Sequence, residues 1–344
     1  MENLKKWRKL LELAISICLI WLIIYRYQKE IAEWVARLSS FNVPLVILAI
    51  FIFMLGNLIN AYKWQLIARS IGISVGYGKA LHYYMVGIFM NTILVGGAGE
   101  IKRTCDLSRD NQEYLASFMS VIMERWTGFC ALLLMAVIGL FIQYPSYQHT
   151  IFPAVLGIIV LAGITVSVLL FGSFRKISVL SRFERLKGFV EKYEKLSVAF
   201  SKNKSLLIKA LLISFPQPIL VIAYFFLLSQ SLNTNFPLQV FFFTVPFILI
   251  ISQIPISIAG IGVQETCIIS VFAPLNLGMG AVIPLSILSH IGKVVSCLWG
   301  AGYYFLINEE SAKSIKKRQS CNEAFEPEPV PAQSVAAGES AVIP

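Results

Sequence analysis

The chain has 344 residues, 57% of them hydrophobic and only 14% charged, whereas a soluble globular domain carries roughly 25% charge. Its mean hydropathy is +0.72, and the charges are segregated between apolar runs near the roughly 20 residues that a helix needs to cross a bilayer. This excludes a chain built of soluble catalytic domains. It also assigns the net charge of +10 to short loops beside apolar spans, as in cytoplasmic loops, rather than to a nucleic-acid-binding face.

The chain opens with a basic stretch, residues 1–9, that contains Lys5, Lys6, Arg8 and Lys9. The positive-inside rule makes it a cytoplasmic N-terminus. The apolar run after it, about 10–28, reads as an uncleaved first span, because Tyr25-Arg26-Tyr27-Gln28 lacks the small residues of a signal-peptide cleavage site. Further spans are expected at about 44–62, 115–143, 150–173, 207–229 and 281–307. Two other apolar regions, about 80–98 and 238–258, each run into a glycine-rich break and then a shorter second segment.

Between the fourth and fifth of these spans lies a basic loop, 174–206, with Arg175, Lys176, Arg182, Arg185, Lys187, Lys192 and Lys195. Its Phe183, Leu186, Phe189, Val190, Tyr193, Leu196 and Phe200 recur at helical spacing. That pattern fits either a basic amphipathic helix on an anionic inner leaflet or a connector packed on the bundle. The tail 308–344 carries Lys313, Lys316, Lys317 and Arg318, is rich in Pro, Ala, Glu and Ser, and is expected to be a disordered cytoplasmic tail. Both termini and the loop at 174–206 are therefore expected in the cytoplasm. The segments 144–149 and 230–237, free of Lys and Arg, are expected outside.

Parity then requires residues 80–112 to enter and leave on the cytoplasmic side. Residues 238–276 either enter and return on the outer side or cross twice. The expected fold is an all-α, polytopic membrane helical bundle of six full spans with two broken or re-entrant hairpins, or else of eight spans. Its membrane domain covers 10–307, with halves at about 44–143 and 207–307 joined through 174–206. Span, hairpin and span in each half, oppositely oriented, would make an inverted-topology repeat, a transporter architecture whose substrate site lies where broken helices meet.

Two motifs carry the chemistry. Gly96-Gly97-Ala98-Gly99-Glu100 marks the first break, and Gly260-Ile261-Gly262-Val263-Gln264-Glu265 the second. Glycines permit unwound backbone, and amides exposed at a new helix start can hold an anion. The alternative is ordinary turns at the membrane edge, but the recurrence in two halves favours function. Lys102, Arg103, Asp106, Arg109 and Asp110 follow the first break. Glu124 and Arg125 lie inside the apolar run 116–140, and His290 and Lys293 inside the last span. Intramembrane charge is costly and marks function by default, and the planar fork of arginine suits phosphate. A structural ion pair is the other reading of Glu124 and Arg125, and Glu265 or Glu100 is a candidate counter-charge for Lys293. Asn57, Asn60, His82, Asn91, Gln217 and Gln253 read as interhelical hydrogen-bonding groups. The six cysteines form no CxxC pair. With three histidines and no P-loop, HExxH or GxSxG motif, neither a metal nor a nucleotide cofactor is expected.

Taken in order, Asn91 through Glu100, Arg103, Leu107-Ser108-Arg109, Glu124-Arg125-Trp126-Thr127-Gly128, and Pro255 through Glu265 resemble one family. It is the flippase-like membrane domain of lysylphosphatidylglycerol synthases and its stand-alone relatives, and the resemblance runs from about residue 10 to 307. Val95 stands where the family often has proline. The resemblance implies a multi-pass protein of the cytoplasmic membrane that moves or handles lipids, without the soluble aminoacyl-transferase domain and so without lysyl transfer.

The resulting expectation is translocation of an anionic lipid or lipid-linked intermediate, with no catalytic residue. Gly97, Gly99, Gly260 and Gly262 would shape the broken helices together with Glu100 and Glu265, which could also take up protons. Arg103, Arg125 and Lys293, with Glu124 beside them, would bind the phosphate. The alternatives are a membrane glycosyl- or phosphotransferase using Glu100 or Glu265 as base, and a non-catalytic scaffold for a partner lipid-modifying enzyme.

Overall fold

The computed structural model describes residues 42–93, 97–171, 204–234, 236–253, 262–275 and 279–305. The expected span at 10–28, the basic loop as far as residue 203, Gly260 and the tail 308–344 lie outside the described residues. The described elements are helical: α1 (Val43–Ser70), α2 (Tyr77–Ile93), α3 (Ala98–Asn111), α4 (Tyr114–Ile142), α5 (Phe152–Phe171), α6 (Lys204–Ser214), α7 (Pro216–Ser231), α8 (Leu238–Ile251), α9 (Val263–Phe272), α10 (Met279–Leu288) and α11 (291–305).

Each helix boundary has a local cause. Asn42 caps α1 by accepting from the Leu45 N–H at 3.4 Å, with a proline in the first turn. The helix runs on to Ser70, eight residues past the expected end, because the buried face of Asn57, Ala61, Trp64 and Ala68 continues beyond the first charged residue, Lys63. Pro216 opens α7 just after α6 ends at Ser214. The two helices still form one apolar span, Ile208–Ser231, as α10 and α11 do over Ala281–Phe305. With α1 and α4, these are the described helices long and apolar enough to cross a membrane. The 20-residue α5 occupies the expected span at 150–173. The bundle presents Phe141, Ile151, Ile158 and Leu298 outward, each more than 60% exposed, as a lipid-facing surface requires.

The two broken regions are antiparallel hairpins. At the open end of the first, the Tyr83 hydroxyl donates to Asp110 at 2.9 Å, and at its tip Asn91 donates to Glu100 at 3.1 Å. In the second, the rings of Phe236 and Phe241 both lie 5.9 Å from that of Phe272, so the start of α8 meets the end of α9. Their arms have 17, 14, 14 and 10 residues. At about 1.5 Å per residue, each is shorter than the roughly 30 Å hydrocarbon core. These lengths favour hairpins that enter and leave on one side over eight full spans.

The halves repeat in register. Val43 and Lys204, Ser70 and Ser231, and Tyr77 and Leu238 are each 161 positions apart, whereas Ala98 and Val263, and Tyr114 and Met279, are 165 apart. The second half therefore differs mainly by four extra residues at its hairpin tip. The repeat is inverted. The Asn42 N–H donates to the Ser231 carbonyl at 3.2 Å, so α1 runs antiparallel to α7, its own equivalent. A Cβ on Gly56 would lie 3.6 Å from Cγ of Gln217, the equivalent position, where the two helices cross. Each closing span packs against the other half's hairpin. A Cβ on Gly139 of α4 would overlap the Phe242 carbonyl of α8, and one on Gly300 of α11 would overlap the Met85 carbonyl of α2.

Gly139→Ala should force α4 and α8 apart and cost about 1–3 kcal/mol, as overpacking does. Gly157→Ala has open space around its Cβ and should leave stability level or slightly raised. Thermal unfolding of both variants in detergent tests the contrast.

Candidate functional site

Both hairpins turn into their second arm in the same way. Gly97 and Gly262 precede α3 and α9 with φ of +78° and +86°, a conformation that a side chain disfavours. Three residues on, at the third position of each helix, stand Glu100 and Glu265. Carboxylates there face the unpaired amides and the positive end of the helix dipole. Glu265 Oε2 accepts from the Gly262 N–H at 2.6 Å, the carboxylate half of a capping box; glycine has no side chain to return the bond. In the first half Asn91 does the capping. Its Oδ1 accepts from the Gly99 N–H at 2.8 Å while its Nδ2 holds Glu100. A Cβ on Gly99 would overlap the Gly87 carbonyl, so glycine lets the two arms touch.

Each carboxylate then meets a basic side chain from the next span, 25 positions later: Glu100 pairs with Arg125, and Glu265 contacts the His290 imidazole. Behind the first pair lies a buried triad. Glu124 is 4% exposed and sits between Lys63 and Arg103, which are 1% and 2% exposed. Lys63 Nζ is 3.3 Å from Glu124 Oε1 and also donates to the Glu124 carbonyl at 3.1 Å, while Arg103 Nη1 is 3.1 Å from Glu124 Oε2. A Cβ on Gly128 would come within 3.3 Å of the Lys63 ammonium. The Arg103 guanidinium is clasped between Trp64 and Tyr84, 4.1 and 4.6 Å from their ring centroids. Trp64 is fixed by donating to Ser120 Oγ at 3.0 Å.

Three polar atoms in this region are buried without a hydrogen-bond partner among the described residues: Arg103 Nε, Arg103 Nη2 and Glu100 Oε2. Such groups are costly unless something satisfies them. Arg125, by contrast, keeps 44% of its side chain exposed.

The structure thus joins Gly97, Gly99, Glu100, Arg103, Glu124 and Arg125 into one site, and Gly262, Glu265 and Lys293 into a second. It corrects the partner expected for Lys293, which donates to Gln264 Oε1 and not to either glutamate, while Gln264 Nε2 donates to Ser289 Oγ at 3.0 Å. It also places Arg103 deep against aromatic rings, leaving Arg125 as the accessible arginine. Lys63, Trp64, Tyr84 and the partnership of His290 were not in the predicted site. The signal for the first two was the helical face continuing past residue 62, with Ala61, Trp64 and Ala68 in phase with Asn57.

Antiparallel broken helices, an inverted repeat and buried charge inside apolar spans define a polytopic helical membrane protein. Residues 9–300 match the family described as Lysylphosphatidylglycerol synthase TM region, and the chain belongs to that family. It is an integral, multi-pass membrane protein. No curated protein matches the chain.

Glu124→Gln strands two buried cations and should destabilise the protein by about 3–5 kcal/mol. Lys79→Ala, which breaks the exposed Lys79–Asp110 pair (3.2 Å, lysine side chain 66% exposed), should cost less than about 1 kcal/mol. Detergent-phase thermal shift of the two variants checks both values.

Proposed function

We propose that this protein translocates a phospholipid bearing one phosphodiester charge across the cytoplasmic membrane, without chemically altering it. The observation that carries this reading is the charge of the first site. Among the described residues, Lys63, Arg103 and Arg125 face Glu100 and Glu124, an excess of one positive charge. Two Arg103 nitrogens lack partners among those residues, and Arg125 is exposed enough to reach a ligand. A phosphodiester supplies one negative charge and oxygen acceptors for such a fork. The acyl chains stay in the bilayer, so only the headgroup needs a polar path.

The inverted repeat supports movement rather than static binding. Two equivalent hairpins entering from opposite faces, with charged tips, are the parts that alternating access uses. The open end of the first carries Lys79, Arg109 and Asp110. That of the second, around residues 230–237 and 273–278, carries no Lys or Arg, so the first belongs on the cytoplasmic side. Against the transferase alternative, both oxygens of Glu265 are engaged; Glu100 is held through Oε1 by Arg125 and Asn91 and keeps only a buried Oε2 without a partner among the described residues.

Proteoliposomes with a fluorescent phosphatidylglycerol in one leaflet, and a ceramide analogue as the uncharged control, test this reading. The wild type should move the phospholipid, not the ceramide, and leave its mass unchanged. Arg125→Gln should slow it about tenfold or more, the loss expected of a charged hydrogen bond. Equal rates for Arg125→Gln and wild type would sink the proposal and leave a scaffold. A product of altered mass would make the protein a transferase.

A further inference from the structure

The two halves are equivalent in backbone but not in charge, and the difference falls on one proton. By the same registers, Lys63 corresponds to Tyr224, Arg103 to Ile268, Glu124 to Ser289, Arg125 to His290 and Gly128 to Lys293. The correspondence is physical as well as numerical. Lys63 Nζ donates to the carbonyl of Glu124 at 3.1 Å, and Tyr224 OH donates to the carbonyl of Ser289, the equivalent residue, at 3.0 Å. The whole buried triad is thus neutral in the second half. Only the carboxylate and a basic partner from the next span are kept, and that partner is an imidazole in place of a guanidinium.

With Lys293 charged and His290 neutral, Lys293 and Glu265 cancel, and the second site has no net charge. With His290 protonated as well, the site carries one positive charge, matching the first site when Lys63, Arg103 and Arg125 are all charged. We propose that the Glu265–His290 pair is a proton-binding site, and that the phosphodiester headgroup occupies the second site together with one proton. The first site takes the anion alone, and the second takes anion and proton as a neutral pair. Headgroup transfer between them is thereby linked to proton uptake at His290 and, on release, to proton loss. The inference rests on the lipid-translocation reading and adds its driving force.

His290 lies at the break between α10 and α11, where Tyr224 OH also accepts from the Gly292 N–H at 3.0 Å, pinning the turn from α7. Among the described residues, the groups on the neighbouring helices α7, α9 and α11 that ionise or carry charge on this side are Tyr224, Glu265, Cys267 and Lys293. α8 and α10 contribute none, and the tip sequence 254–261 has no ionisable side chain. Lys293 is engaged by Gln264, which in turn holds Ser289. Imidazole is the side chain that ordinarily changes charge between about pH 5 and 8. Linkage is reciprocal: if the proton favours the anion, the anion must favour the proton.

Two measurements on the full chain decide it. In weakly buffered detergent at several pH values between about 5 and 8, mixing the wild type with short-chain phosphatidylglycerol should take up protons, approaching one per protein at the most responsive pH. Mixing with a neutral short-chain diacylglycerol should take up none. In proteoliposomes, a pH gradient should bias phosphatidylglycerol distribution between leaflets. His290→Arg, which gives the second half the pair of the first, should abolish that bias while headgroup binding persists. Binding without proton uptake by the wild type would overturn the proton proposal and leave translocation standing, as would a gradient-indifferent wild type that still moves lipid. A wild type that moves no phosphatidylglycerol under any gradient would overturn both.

Discussion

Glu124 is the pivot of the first half. A carboxylate inside an apolar span is tolerated only with its charge answered, and here it is answered from two other helices, by Lys63 of α1 and Arg103 of α3. That requirement fixes much around it. Gly128 must be small to admit the lysine, and Gly87 must be small because a Cβ there would collide with the Arg103 stem. Trp64 and Tyr84 must flank the guanidinium. The hairpin α2–α3 is therefore held to α1 and α4 by charge and aromatic faces as well as by apolar packing. Its tip, with Glu100 and Arg125, is presented from a rigid base.

The second half reaches the same backbone arrangement without that pivot. A tyrosine hydroxyl replaces the lysine ammonium, a serine replaces the glutamate, and an isoleucine replaces the arginine. All three charges are absent together, as expected if a partly satisfied buried network is worse than none. Packing falls instead to an apolar cluster of Phe225, Phe241, Ile268, Phe272 and their neighbours. The first half is stiffened by charge and the second by hydrophobic contact, a difference suited to one fixed and one adjustable partner.

The described spans, the glycines at 97 and 262 that open each second arm, and the likeness of the halves were legible in the sequence because each leaves a local mark: long apolar runs, glycines before a carboxylate, and the placement of lysine and arginine. The register of the repeat was not legible. Its equivalents differ in chemistry, Lys63 against Tyr224 and Glu124 against Ser289, and four added residues at one tip break a simple offset. The triad was missed in part because a first charge after an apolar run looks like the end of a span, whereas Lys63 continues inward on a buried face. Arg103 was foreseen as a ligand group but not as a side chain sealed between rings, since nothing in sequence spacing brings Trp64, Tyr84 and Arg103 together. Lys293 found an amide instead of a carboxylate because His290 had taken Glu265.

The antiparallel crossing of α1 on α7, with Gly56 against Gln217, has the form of a dimer interface closed upon itself. A half-length ancestor that inserted in either direction could have paired with its own inverted copy across that seam. Fusing two such copies needs one added crossing between them, and α5 supplies it. Once fused, the copies were free to diverge, one keeping a buried charged triad and the other replacing it with Tyr224, Ile268 and Ser289. The seam is then the oldest contact in the molecule, and the chemistry at the hairpin tips is more recent.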